Sequence, residues 1–124
     1  MADFNLEKEN FNNNSIMIGI DEVGRGSWAG PIVAASCWIN FKNYKLLPKD
    51  INDSKKISSK TRKKIILSLN NSVKYSSAIS TPEEIDRFGL TVANFMAMKR
   101  SLYCLFQSFN KNTIKKGLKF QVYV

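Results

Sequence analysis

The chain has 124 residues, 44% hydrophobic and 11% aromatic, and its 19 Lys+Arg against 10 Asp+Glu give a formal net charge of +9. That is one globular domain, not a disordered chain. It has no histidine, so Ser-His-Asp and Cys-His chemistry is excluded, as is any zinc site that needs imidazole.

The two cysteines lie far apart in sequence. They make neither a metal cluster nor a disulfide framework, and they fit a reducing, cytoplasmic compartment. The longest apolar run, Pro31 to Ile39, is shorter than the about 20 residues a bilayer span takes. The start, MADFNLEKENFNNN, is polar and mixed in charge, unlike a signal peptide. The excess of positive charge points to a polyanion, with solubility as the plainer explanation.

Residues 1–14 read as a polar tail with little periodicity, and 15–124 as the domain. Ile16-Met17-Ile18-Gly19-Ile20 is apolar on both faces, as in a central strand. Asp21-Glu22-Val23-Gly24-Arg25-Gly26 follows, where two glycines end regular structure. Pro31 opens a second strand, Ile32 to Ile39, at a position where proline is tolerated. A loop from about residue 40 to 56 leads to a helix capped by Ser58, with Ile65, Ile66 and Leu69 at helical spacing.

Val73 to Ser80 reads as a third strand. Thr81-Pro82-Glu83-Glu84 has the form of a capping box with proline at the first helical position. Gly89 interrupts this helix before a longer one, on which Phe95, Met98, Leu102, Leu105 and Phe109 form one stripe. Phe120 to Val124 is a last strand. The order implies an α/β or α+β domain with a helix-covered sheet. Trp38, Cys37 and Cys104 read as core, and Lys99-Arg100 as a solvated helix face.

Three segments are suited to chemistry. Asp21 and Glu22 end an apolar strand beside a flexible turn, where carboxylates can hold a hard divalent cation such as Mg²⁺. Adjacent strand residues point to opposite faces, so both reach one ion only if the strand bends near Glu22. Gly24-Arg25-Gly26 offers backbone N–H groups that can approach a phosphate or sugar closely. Lys49, Lys55, Lys56, Lys60, Arg62, Lys63 and Lys64 face only Asp50 and Asp53, which suits phosphate neutralisation; a solvated helix face is the plainer alternative.

Together these segments resemble a known family. IGIDEVGRGSWAGPIVAA resembles the opening motif of type 2 ribonucleases H (ribonuclease HII). INDSKKIS resembles that family's next motif, and STPEEIDRFGLTVANFMAMKRSL its central helical block. The match runs from about Ile16 to Val124 in the family's order. The resemblance implies a ribonuclease-H-like α/β fold, a mixed sheet flanked by helices. It implies endonucleolytic cleavage of RNA paired to DNA, and of ribonucleotides embedded in duplex DNA, with Mn²⁺ or Mg²⁺.

By the same resemblance, Asp21 and Glu22 are the first two of four metal-holding, catalytic carboxylates. Gly24, Arg25 and Gly26 grip the RNA–DNA junction around the ribose 2′-hydroxyl, and Ser54 and Lys55 contact phosphate near the cut. The family's third carboxylate follows a strand of the type seen here as FQVYV, so the next residue after Val124 would be that aspartate. The expectation is therefore a truncated domain lacking its C-terminal part, inactive alone, for which a complementing C-terminal fragment is a partner to look for. The competing reading is a non-catalytic hybrid-binding module or a decayed gene product.

Overall fold

The structure is a computed structural model that describes residues 5–12, 15–25, 29–39, 57–68, 73–109 and 119–124. In chain order the elements are α1 (Asn5–Asn12), β1 (Ser15–Val23), β2 (Ile32–Ile39), α2 (Ser59–Ser68), β3 (Val73–Ser80), α3 (Pro82–Phe88), α4 (Leu90–Gln107) and β4 (Lys119–Tyr123). The strands form one mixed sheet in the order β3-β2-β1-β4. β2 runs antiparallel to β1 and β3, and β4 runs parallel to β1.

Isoleucines at alternate positions fix the orientation of β1. Ile16, Ile18 and Ile20 are buried, and residues two apart share one face of a strand. Ile32, Ala34 and Ser36 bury the matching face of β2. α4 closes this face with Ala93, Ala97, Met98, Ser101 and Leu105. Small residues at Ala93, Ala97 and Ser101 bring the helix backbone close to the sheet. The Ser80 hydroxyl donates to the Ala93 carbonyl at 2.6 Å, and the hydroxyls of Ser36 and Ser101 meet at 2.6 Å. On the opposite face Val23, Tyr75 and Ile79 are exposed.

The helix starts follow local chemistry. Ser58 Oγ accepts the Thr61 N–H at 3.1 Å, capping α2. Thr81 Oγ1 accepts the Glu84 N–H at 3.2 Å, and Glu84 Oε1 accepts the Thr81 N–H at 3.1 Å. Gly89, at φ 84° and ψ 162°, separates α3 from α4. That region of backbone space is essentially reserved for glycine.

The structure departs from the sequence reading in four places. Asn5–Asn12, within the expected tail, is a helix that packs on β1. β1 continues through Asp21 and Glu22 to Val23, because pairing with β2 overrides the weak strand preference of acidic residues. Phe95 is 65% exposed and leaves the buried stripe. That stripe is centred on the small residues, and at about 100° per residue Phe95 falls to its side. Cys104 is exposed, against the expected core position, while Cys37 is half-buried. Trp38 does pack against the core, edge-on to Phe109 with ring centroids 5.3 Å apart.

Candidate active site

β1 brings two carboxylates to one end of the sheet. Asp21 pairs with Ala35 and Glu22 with Ala34, and the ladder runs on without a bulge to Val23 opposite Val33. Alternation therefore puts Glu22 on the helix-covered face, half-buried, and Asp21 on the other face, exposed. The bend near Glu22 that would bring both carboxylates to one ion is absent. The Glu22 N–H donates to Asp21 Oδ1 at 2.8 Å, which orients the Asp21 carboxylate against its own backbone.

The chain leaves the ladder at Gly24, where φ is 94°. A Cβ there would press into the carbonyl oxygen of Pro31. Conformation and space both demand glycine, so Gly24 sets the direction of the turn that carries Arg25, which is exposed. Gly26, Ser54 and Lys55 lie outside the described residues, as do Trp28, Lys49 and Lys56. The structure thus places Asp21, Glu22, Gly24 and Arg25 within five residues at one end of β1, with the two carboxylates on opposite faces of the strand.

The donors present are hard oxygens, which fit Mg²⁺ or Mn²⁺ in kind. In number they are two. Among the described residues no group of three or more His, Cys, Asp or Glu side chains is placed to hold a metal ion.

The corner beside this site has a feature the sequence reading treats as a solvated face. Arg100 on α4 donates from Nη1 to Glu84 Oε1 at 2.8 Å and from Nη2 to Glu84 Oε2 at 2.5 Å. Its Nη1 also donates to the Ile79 carbonyl at 2.9 Å. Ile79 is in the same cross-strand row as Val33 and Val23. The clamp therefore holds the sheet at the level where β1 ends, two strands or roughly 10 Å away. A separation of 16 residues gives no local signal for the pair. Asn94 is also unforeseen: it is buried on α4, and its Oδ1 has no hydrogen-bond partner among the described residues.

Comparison with known proteins decides the lineage. The family model for ribonuclease HII matches residues 18–117. The chain belongs to the ribonuclease HII family. A ribonuclease HII of Ehrlichia ruminantium (strain Welgevonden) is 43% identical over 107 residues, which is 82% of this chain and 50% of that protein. One from Zymomonas mobilis is 34% identical over 96 residues, 77% of this chain and 43% of that protein. The chain spans about half the length of these curated relatives.

Two solved structures share the fold. The Mn²⁺ complex of Bst-RNase HIII superimposes with a TM-score of 0.61 at 24% identity, over 79% of this chain and 34% of that one. The RNase HII of the PCNA:RNase HII complex from Archaeoglobus fulgidus gives 0.56 at 19% identity, over 87% of this chain and 62% of that one. The mixed sheet with flanking helices is thus the ribonuclease-H-like α/β fold expected from the motifs. No described helix is long and apolar enough to cross a membrane.

Proposed function

We propose that this chain supplies the first part of a divalent-metal endonuclease site that cleaves RNA in RNA–DNA hybrids and ribonucleotides embedded in duplex DNA. The observation that carries the reading is the Asp21-Glu22 pair at the end of a central strand, directly before a turn that only Gly24 can make. The family match includes these residues.

In this reading Asp21 and Glu22 give carboxylate oxygens to Mn²⁺ or Mg²⁺, which requires β1 to bend near Glu22 when the ion binds. One oxygen of Asp21 is held by the Glu22 amide, which leaves the other for a cation. Such an ion, when bound, activates water and stabilises the leaving oxygen in phosphodiester hydrolysis. The Gly24-Arg25-Gly26 backbone approaches the ribose 2′-hydroxyl, the group that distinguishes RNA from DNA. Gly24 contributes by aiming the loop, and Arg25 by adding positive charge beside the backbone. Ser54 and Lys55 contact phosphate near the cut.

The remaining carboxylates come from polypeptide equivalent to the half of the family's length outside this match, a complementing C-terminal fragment. Two cysteines that form no disulfide support a reducing, cytoplasmic setting.

Titration with Mn²⁺, followed by the electron paramagnetic resonance signal of the free ion, tests the assignment. The expected result is measurable uptake by the chain that is weakened by Asp21→Asn and by Glu22→Gln. Uptake unchanged in Asp21→Asn would overturn it. Hybrid binding with no Mn²⁺ uptake would favour the non-catalytic binding module instead.

A further inference from the structure

α2 carries Lys60, Arg62, Lys63 and Lys64 in ten residues, with no acidic residue. The cations are not equivalent. Ile57, Thr61 and Ile65 are half-buried and, spaced by four, define the inner side of the helix. Arg62 turns back to donate from Nη1 to the Ile57 carbonyl at 3.2 Å. Lys60, Lys63 and Lys64 are exposed and lie together along one flank of the helix, by the i, i+3, i+4 rule. Among the described residues no carboxylate forms an ion pair with them; the salt bridge found joins Arg100 to Glu84.

We propose that Lys60, Lys63 and Lys64 form a stripe that binds the phosphate backbone of a nucleic-acid duplex. Lys60 and Lys64 are four residues apart, about 6 Å along the axis at 1.5 Å per residue. That spans about two steps between successive phosphates of one strand, at 3.4 Å each, and so about three phosphates. Unpaired ammonium groups lose no protein partner on binding, and the chain's net charge of +9 favours the encounter over long range. Point charges on flexible stems hold phosphate without reading bases. The stripe therefore adds affinity without sequence or sugar preference.

The choice of partner rests on the ribonuclease reading, so the test uses a duplex that cannot be cut. A fluorescent DNA duplex lacking ribonucleotides is titrated with the 124-residue chain at several salt concentrations. The triple variant Lys60→Gln/Lys63→Gln/Lys64→Gln is expected to reduce the slope of log K against log salt by about 3. The corresponding triple arginine variant should keep the slope. An unchanged slope in the glutamine variant overturns the proposal. So does tighter binding to anionic phosphatidylserine vesicles than to the duplex, which would assign the stripe to a lipid surface.

A second measurement needs no variant. Brief acetylation of the unmodified chain, read by mass spectrometry, should show the duplex protecting Lys60, Lys63 and Lys64. Lys8, exposed on α1, should react equally with and without duplex. Equal reactivity of the three α2 lysines in both conditions also overturns the proposal. Mn²⁺ uptake unchanged by Asp21→Asn, which overturns the carboxylate assignment, would leave these outcomes untouched, so the two readings fail separately.

Discussion

Arg100 grips Glu84 with both guanidinium nitrogens, at 2.8 and 2.5 Å, and so ties the middle of α4 to the first turn of α3. Glu84 is also the reciprocal member of the Thr81 capping box. One carboxylate thus closes the helix start, the helix–helix corner and, through the bond from Arg100 to the Ile79 carbonyl, the end of β3. Such bidentate pairs are geometrically specific as well as charge-assisted.

This clamp makes stability depend on pH. The hydrogen bonds from Arg100, and then the Thr81 amide, lower the Glu84 pKa from 4.5 to about 2. A lowered folded-state pKa contributes stability that is fully present above the unfolded value and lost as pH falls through the folded one. The stabilisation therefore fades between about pH 4.5 and about pH 2. In urea titrations, Glu84→Gln should be less stable than the parent at about pH 6 and approach it near pH 2. A constant difference across that range would contradict the clamp.

The legible and illegible parts of this fold divide by range. Pairing signals carried within a few residues were readable: the Thr81–Glu84 box, the Ser58 cap, Gly89 as a break, and the bounds of β2 and β3. The end of β1 was not, because Asp21 and Glu22 are held in the sheet by Ala35 and Ala34 of another strand. Hydrophobicity alone puts Phe95 on the α4 stripe, where the structure leaves it exposed. The helix instead buries Ala93, Ala97 and Ser101, where closeness to the sheet favours small side chains over apolar ones. The Asp21 and Glu22 pair was visible as chemistry from its setting in DEVGRG, but its distribution over two faces depends on ladder continuity that sequence does not show.

Gly24 and Gly89 both have positive φ, but only Gly24 also lacks room for a Cβ. Alanine at either position should cost about 1–3 kcal/mol of backbone strain. Gly24→Ala should cost more than Gly89→Ala, because it also drives a Cβ onto the Pro31 carbonyl. Urea midpoints of the two variants give the order. Equal losses would show that the turn relaxes around the added methyl.

The Ser36–Ser101 bond crosses from β2 to α4 with both residues fully buried. Ser101 also donates to the Met98 carbonyl at 2.8 Å, so Ser36 depends on Ser101 more than the reverse. Ser101→Ala should cost about 1–3 kcal/mol by stranding a buried hydroxyl. Adding Ser36→Ala should recover part of that loss, since removing both partners spares the unmet hydrogen bond. A double-mutant cycle measures this coupling, and strictly additive losses would mean that water or another group satisfies Ser36.

The 124-residue chain alone should not cleave a duplex carrying one ribonucleotide at a rate near that of a full-length family member. The reason is ligand count. Two-metal hydrolysis fixes ions roughly 3.5–4 Å apart, while Asp21 and Glu22 leave an unbroken strand on opposite faces. Among the other described acids, Glu84 is committed to Arg100 and Thr81, Glu83 and Asp86 stand on α3, and Glu7 and Glu9 stand on α1. Asp21→Asn should weaken Mn²⁺ binding by at least about 10–100-fold, the loss that even an outer-shell change produces. Supplying the part of the Ehrlichia ruminantium relative outside the match as a separate polypeptide should restore cleavage, and Asp21→Asn should abolish the restored activity. The assay is run with Mn²⁺ and with Mg²⁺. Robust turnover by the isolated chain that Asp21→Asn removes would show that the two carboxylates of β1 suffice.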